Sequence, residues 1–349
     1  MILSFSARQS LRKPFQVISL PLLAKLYRNA YSLPQNRLQR FITAPVSRKL
    51  HRLFLSLHFT GRGRFKYQGS RTQTEIFFRS ANTQFHSLYL PQFSYFEAET
   101  LALLDILIQP NDVFYDIGSN WGHVSLHAAS LPGFTGEIHA FEPMPATFPD
   151  LVKTVKQAGL EATVSCHHYA LSDTNEPGYM TLPDGIHSGN ATLSMDTKGV
   201  RTERKKLDDL HISPPNILKV DAEGHEPNVF GGGKQMLAEH TPYIIFENFR
   251  KPQEPLSTLH PLFILQELDY VFFLPLFYTL YEGIPVHQGS QDHLPDTAPE
   301  ALLGLFLFQA EERFFLDEQI NIFACHKNRL EELKQLFKNA HPSSDLQSV

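Results

Sequence analysis

Asn111-Asp112-Val113-Phe114-Tyr115-Asp116-Ile117-Gly118-Ser119-Asn120-Trp121-Gly122 is the stretch from which the fold is read. A short apolar run, 113–115, ends at Asp116 and passes directly into Gly118, Asn120 and Gly122. This has the form of a buried parallel strand feeding a tight turn and then a helix. Gly118 has no Cβ to obstruct a close approach of the backbone to a ligand. Gly122 lets the first helical turn come close. Asp116, at the strand end, can accept hydrogen bonds from a polar or cationic group held over the turn.

The spacing is D-x-G-x-x-x-G, not G-x-G-x-x-G. Loops that cradle phosphate place more glycine at the turn, because backbone N–H groups must face the anion. An acid at the strand tip suits an amine better. A cofactor with a cationic amino-acid end, such as S-adenosylmethionine (SAM), therefore fits better than a dinucleotide. On this stretch alone, a turn that merely joins strand to helix is equally open.

Downstream, segments alternate in the βα manner. Strands are expected at 113–115, 137–141, 162–168, 217–220 and 243–246, with helices at 123–130, 146–157 and 229–239 between them. The strand ends should share the carboxyl edge of a parallel α/β sheet, where ligands bind in this class. Glu142 closes the second strand, roughly 20 residues after the glycine turn, where an acid can accept from both hydroxyls of a ribose. A helix-start acid is the plainer meaning. Coupled to Asp116, the ribose reading is the better one.

Five pieces carry a resemblance: D116-I-G-S-N-W-G122, F141-E-P143, A170-L-S-D173, L207-D-D-L210 and I217-L-K-V-D-A-E-G-H-E226. In that order, the chain over about 96–250 resembles the FkbM family of SAM-dependent methyltransferases. The resemblance implies a Rossmann-like class I fold with a seven-stranded, mostly parallel sheet. It implies methyl transfer from SAM to a hydroxyl of a sugar, a lipid-linked glycan or a secondary metabolite. Carried over by position, Asp116, Gly118, Asn120 and Gly122 would line the methionine part of SAM, Glu142 would hold the ribose, and Ser172 and Asp173 would lie beside the adenine. Lys219, Asp221 and Glu223 would face donor and acceptor. Trp121 would cover the pocket or pack beneath the helix.

An alcohol must lose its proton as it attacks, so Asp221, Glu223 and His225, clustered at one strand exit, are the candidate catalytic residues. Histidine has an unperturbed pKa near 6.5, suited to proton transfer. His225 is equally suited to buttressing the helix. Asp221 with Glu247 and Asn248 offers an oxygen set that suits magnesium or calcium, without diagnostic spacing, and no metal is expected. A non-catalytic protein that retained the fold is the alternative. The absent G-x-G-x-x-G disfavours a nicotinamide enzyme.

The 349 residues, 42% apolar and 19% charged, with a formal net charge of -5, describe a globular body. Two cysteines, Cys166 and Cys325, give no disulfide framework. No run reaches the length of a membrane helix; the apolar piece 270–280 contains Pro275 and reads as core. Three parts are expected: a basic extension over 1–85, a methyltransferase domain over 86–340, and a frayed tail over 341–349.

The extension has no Asp or Glu before Glu75. Basic and apolar residues interleave, with an amphipathic helix expected over 20–31 and a hairpin over 59–69. A solvated basic face is the plain meaning, and contact with an anionic membrane the second. Arg-rich, acid-poor segments also occur as organellar presequences. No finger, stacking or helix-turn-helix signal supports nucleic acid. A cytoplasmic location, peripheral to a membrane if the second meaning holds, follows, with oligomeric state open.

Within the domain, 174–216 forms an insertion, with short antiparallel strands above the pocket and His187, Ser188 and Asn190 available to an acceptor. The run Arg201 to Lys206 could read a phosphate or carboxylate. In the tail, Pro252, Pro255 and Pro261 should break up the chain. A helix is expected over 262–267, and strands at 270–274 and 278–280 as the sixth and seventh. Residues 285–299 read as a loop and 328–337 as a helix.

Overall fold

Residues 113–117 form a strand buried over most of its length, and the sheet is laid out on both sides of it. The structure is a computed structural model that describes residues 4–8, 12–31, 42–56, 61–70, 72–79, 82–89, 96–182, 189, 191–194, 197–281, 284–287 and 302–340. In chain order the N-terminal part contributes β1 (Ser4–Arg8), β2 (Phe15–Ser19), α1 (Leu22–Tyr31), α2 (Ala44–Ser56), β3 (Arg62–Gln68) and β4 (Gln73–Arg79). Then come α3 (Ala98–Leu107), β5 (Val113–Ile117), α4 (His123–Ala129), β6 (Glu137–Phe141), α5 (Phe148–Ala158) and β7 (Val164–His167). The insertion holds β8 (Ala170–Leu171), β9 (Gly178–Thr181), β10 (Thr192–Ser194), β11 (Val200–Thr202) and β12 (Arg204–Lys205). The remainder is β13 (Ile217–Val220), α6 (Glu226–Gly231), α7 (Lys234–His240), β14 (Tyr243–Phe249), α8 (Pro255–Glu267), β15 (Tyr270–Tyr281), β16 (Ile284–His287), β17 (Leu302–Phe308), β18 (Gln319–His326) and α9 (Leu330–Ala340).

The main sheet has ten strands in the order β1-β17-β15-β18-β14-β13-β5-β6-β7, with β16 paired to β15. Taken from β7 to β15, the seven central strands run 3-2-1-4-5-7-6, with β18 antiparallel to β14. That is the class I methyltransferase layout expected from the sequence, extended at one edge. Alternate residues serve opposite cores, as the pleat requires. Phe114, Ile138, Ile217 and Ile245 face one core with α3, α4 and Trp121, while Tyr115, Phe141, Leu218 and Phe246 face the other with α6 and α8.

Several expectations need correction. The strands at 270–274 and 278–280 are one strand, β15, and the seventh strand is β18. Pro275 is tolerated there because the ladder with β18 ends at Phe273, which leaves an open side where a missing N–H costs nothing. The helix expected over 229–239 is split into α6 and α7 at Gly232-Gly233. A Cβ on Gly232 would lie 1.9 Å from the Ser172 carbonyl, and one on Gly233 2.7 Å from Leu207. Pro255 opens α8 at the position where a missing N–H is harmless, and Pro261 lies inside the helix rather than ending the segment. The loop expected over 285–299 begins as β16, and its remainder lies outside the described residues, as does 341–349.

The N-terminal part is no separate extension. β1 pairs with β17 inside the main sheet. The sheet β2-β3-β4, in which the stretch expected to hold a hairpin over 59–69 supplies the single strand β3, packs on the domain through Phe15 and Phe65, each 5.7 Å from the Trp121 ring. Arg12 donates to Asp105 Oδ1 at 2.7 Å and Oδ2 at 3.0 Å, and Tyr67 Oη donates to the Leu126 carbonyl at 2.9 Å. Trp121 is therefore core beneath the helix start, although its edge also reaches the cleft. Among the described residues, no helix is long and apolar enough to cross a membrane.

Candidate active site

At the carboxyl edge of the central strands lies a cleft of about 910 Å³, counted out to its open mouth. One wall is the β5–α4 turn from Gly118 to Trp121. Glu142 and Pro143 follow β6, Tyr169 to Leu171 follow β7, and Asp221 to Glu223 with His225 follow β13. Phe96, Glu97 and His123 close the opposite side, and Met180, Gly189, Ala191 and Leu193 of the insertion hang over it. The insertion is the three-stranded antiparallel sheet β10-β9-β11 in the expected place. His187, Ser188 and Asn190 lie outside the described residues.

The turn is held by its own hydrogen bonds. The N–H groups of Gly118 and Ser119 both donate to the Phe141 carbonyl at 3.0 Å, and that of Gly122 to the Ser119 carbonyl at 2.8 Å. The Asn120 N–H donates to Glu142 Oε2 at 2.9 Å, and the Met144 N–H to Glu142 Oε1 at 2.8 Å. None of these N–H groups is left for a pyrophosphate, in keeping with the missing third glycine. Gly118 has φ +78°, and a Cβ there would lie 1.8 Å from the Asp221 carbonyl oxygen. The close approach that demands glycine is thus to the exit of β13, where a ligand had been expected. Gly122, at φ +92°, starts α4.

Asp116 lies beneath the cleft and does not line it. Its Oδ2 accepts from the Ser125 N–H at 3.0 Å and the Ser125 hydroxyl at 2.6 Å, tying the strand end to α4. Its Oδ1 has no hydrogen-bond partner and lies 4.0 Å from Lys219 Nζ. Lys219, also buried, donates to Asp221 Oδ2 at 3.1 Å and stands 4.0 Å from Glu97 Oε1. Burial opposes its charge, yet Asp221, Glu97 and Asp116 together outweigh burial and raise its pKa. The cation expected above Asp116 is, in the first instance, the protein's own lysine.

The carboxyl groups around it are held unusually basic. Burial pushes Glu97 to about 7 against the opposing pull of Lys219. Burial likewise lifts Glu142 to about 7 against its two backbone hydrogen bonds. Glu223 is raised to about 8 by burial and then by Asp221 and Glu226. Glu223 and Gly224 both have positive φ, +52° and +92°, so the exit of β13 turns sharply and Glu223 does not continue the strand alternation of Lys219 and Asp221. Glu226 stabilises this turn. Its Oε1 accepts from the N–H of Ala222 at 2.9 Å and of Gly224 at 3.2 Å.

Ser172 and Asp173 do not line the cleft. Ser172 is buried behind it; its hydroxyl donates to Asp173 Oδ1 at 3.2 Å and shares a hydrogen bond with His225 Nε2 at 3.0 Å. With the hydroxyl hydrogen on Asp173, His225 donates through Nε2 and keeps its lone pair on Nδ1. Burial lowers His225 to about 4. Two of the cations in the run 201–206 are already engaged. Arg204 Nε donates to the Glu176 carbonyl at 2.6 Å, and Lys205 Nζ sits 4.1 Å over the Tyr169 ring.

One oxygen each of Asp221, Glu223 and Glu247 lie within 4.8 Å of one another, a set that could hold a divalent cation. Asn248 cannot join it. Its amide is buried, donating to the Thr258 carbonyl at 3.0 Å and accepting from Arg313 Nε at 2.6 Å.

Residue patterns missed two members of the site, Glu97 and His123. Glu97 sits in the left-handed region just before α3, and its Oε2 has no partner. His123 opens α4 with neither ring nitrogen hydrogen-bonded, and burial lowers it to about 3. It is ringed by Phe15, Phe96 and Trp121 at 5.0, 5.5 and 5.2 Å. Glu97 lies outside every motif. His123 directly follows the D-x-G-x-x-x-G turn, and its place at the helix start was the only available signal.

Residues 112–272 match the family model described as the methyltransferase FkbM domain. Over these residues the chain is similar to FkbM methyltransferase domains. It is 30% identical over 141 residues to the hexuronic acid methyltransferase AglP of Haloferax volcanii. That match takes in 39% of this chain and 56% of AglP, so the chain spans little more than half the length of this curated relative. Among solved structures, FkbM from Methylobacillus flagellatus superposes with a TM-score of 0.39 at 16% identity, covering 64% of this chain and 52% of that one. Fibrillarin from Aeropyrum pernix, solved with natively bound SAM, gives 0.34 at 11% identity, covering 70% and 89%. Much of the cleft lies within the matched residues, since the β5–α4 turn, Glu142 and the exit of β13 all fall inside 112–272, whereas Phe96 and Glu97 precede them.

Proposed function

We propose that the FkbM domain transfers a methyl group from SAM to a hydroxyl of a sugar or glycan. The observation that carries this reading is a set of unmatched polar atoms at the sheet edge. Ser119, Glu97 and His123 line the cleft, and Ser119 Oγ, Glu97 Oε2 and both ring nitrogens of His123 are buried with no partner among the described residues. Buried polar groups are nearly always matched, and a ligand rich in donors and acceptors would match these. That donor set fits SAM. The Gly118 to Asn120 turn, Ser119, Glu97 and Glu142 would hold it, with Asp116 positioning the turn through Ser125.

SAM, when bound, supplies an electrophilic methyl group to an oxygen nucleophile. The chain's part is to place that oxygen and take its proton, and alignment accounts for much of the rate gain. We assign the proton to Glu223, whose carboxyl is raised to about 8 and half-exposed, so it can pass the proton to solvent. Asp221, held by Lys219, would orient the acceptor hydroxyl. His225, lowered to about 4, is a weaker base and is tied to Ser172. AglP is named for a hexuronic acid, which favours a sugar acceptor for its relative here. The acidic triad Asp221, Glu223 and Glu247 supports a second reading, in which a divalent cation binds the acceptor oxygens.

Calorimetry of the full chain with SAM, followed by transfer of labelled methyl to hydroxylated saccharides, tests the proposal. SAM binding with a mass gain of one methyl group on a saccharide is expected. Binding without turnover on any hydroxylated acceptor would favour a non-catalytic binding protein. Binding of a nicotinamide dinucleotide in place of SAM would overturn the reading. Loss of turnover on chelation and its return with magnesium would select the metal version.

A further inference from the structure

Helix α2 buries one side, and its apolar side is the exposed one. Ala44, Ser47 and His51 are buried, the last with its ring 5.0 Å from Tyr27 of α1. At 100° per residue the opposite side of the segment carries Ile42, Val46, Leu50 and Leu53, which are 56, 53, 38 and 51% exposed. Scattered exposed aliphatics need no explanation, but three on one stripe of one helix, with a fourth, Ile42, just before its start, do. Lys49 and Arg52, both exposed, border one edge of that stripe. No acidic residue precedes Glu75, so nothing on this stretch of chain repels an anionic surface.

We propose that this outer face of α2 lies in the headgroup region of an anionic lipid bilayer, parallel to its plane. An apolar stripe bordered by cations is the pattern of an interfacial helix, and Lys and Arg gain further from the negative surface potential of anionic lipid. The helix is too short to cross. Its inner side leads to the cleft through rings. His51 meets Tyr27 at 5.0 Å, Tyr27 stacks on His86 at 5.9 Å, and His86 meets Phe96, a cleft residue, at 6.0 Å. The docked face and the cleft wall are thus joined by packed side chains. This inference stands on the surface of α2 and does not depend on the methyl-transfer reading.

Co-sedimentation of the full chain with vesicles tests it. With about one-third phosphatidylserine in phosphatidylcholine, binding is expected to exceed that to phosphatidylcholine alone by at least about tenfold. It should fall when salt rises from about 0.1 M to about 1 M, which shortens the screening length from about 10 Å to about 3 Å. The variants V46S/L50S/L53S and K49E/R52E should each lose about tenfold or more in vesicle binding while keeping the wild-type melting midpoint, because every substituted side chain is exposed. Should the triple variant misfold, K49E/R52E and the single L53S carry the test. Equal sedimentation of wild type and folded variants would overturn the proposal, as would equal binding to neutral and anionic vesicles. A dimer that forms without vesicles and is lost in the triple variant would overturn it in favour of contact between two copies of the chain.

Discussion

Lys219 is held by Asp221, Glu97 and Asp116, and this arrangement separates the roles of the neighbouring acids. Asp221→Asn keeps the shape and leaves Lys219 two carboxyl partners. It should bind SAM within about threefold of wild type and lose at least about 100-fold in turnover, the mark of a contact needed in the transition state. Glu223→Gln should behave alike, and the rise of turnover toward pH 8 expected of the wild type should vanish with it. His225→Ala should cost less than about tenfold in turnover and show chiefly as a lower melting midpoint, through the lost bond to Ser172. A large turnover loss in His225→Ala with the fold intact would move the base to His225. Glu142 is a separate case, since both its oxygens accept backbone N–H groups. Glu142→Gln turns an amide donor toward one of them and should weaken SAM binding by about tenfold or more by calorimetry. Unchanged affinity would confine Glu142 to holding the turn.

At the scale of elements, the site depends on two sharp turns that touch each other. The β5–α4 turn and the exit of β13 meet where Gly118 faces the Asp221 carbonyl, with no room for a methyl group. Gly118→Ala would add both a clash and a left-handed alanine. Denaturant unfolding should register a loss of about 3 kcal/mol or more, with SAM binding lost alongside. A variant of wild-type stability would show that the turns are not in contact. The glycine pattern announced the first turn plainly, because positive φ and tight spacing leave few other residues. Its partner was legible only as a family block. Glu223 and Glu97 are non-glycine residues in the left-handed region, a state their side chains do not announce. The break between α6 and α7 was hidden for a related reason. Three consecutive glycines could end a helix or lie within one, and the Ser172 carbonyl that decides the matter comes from 60 residues earlier in the chain. Proline misled twice, inside α8 and inside β15, because its cost depends on whether a neighbour needs the missing N–H.

For the whole molecule, the buried acids set a pH dependence. Glu97, Glu142 and Glu226 stand at about 7 and Glu223 at about 8, all above the value of 4.5 expected when exposed. The folded state therefore binds these protons more tightly than the unfolded state. Their contribution is complete below pH 4.5 and is lost as pH rises through 7 to 8. His123 and His225, lowered to about 3 and 4, act in the opposite sense, but only below about 6.5, where unfolded histidine gains its proton. Between pH 7 and 9 the acids alone decide the sign. The melting midpoint of the ligand-free protein should fall by at least about 2 °C across that window, and less in Glu223→Gln. A flat or rising midpoint would contradict the burial of these groups.

The pairing of β1 with β17 also bears on the order in which the molecule is assembled. Ser4 lies opposite Phe306. A ribosome adding about 5–20 residues per second takes roughly 15–60 s to deliver the partner after the first strand has emerged. During that interval β5, β6 and β7 can already pair, since each follows its neighbour after a short crossover, and β13 can join β5 from about 100 residues further on. The edge formed by the two ends of the chain is thus a late event of high contact order, and the methyltransferase sheet has to stand for a time without it.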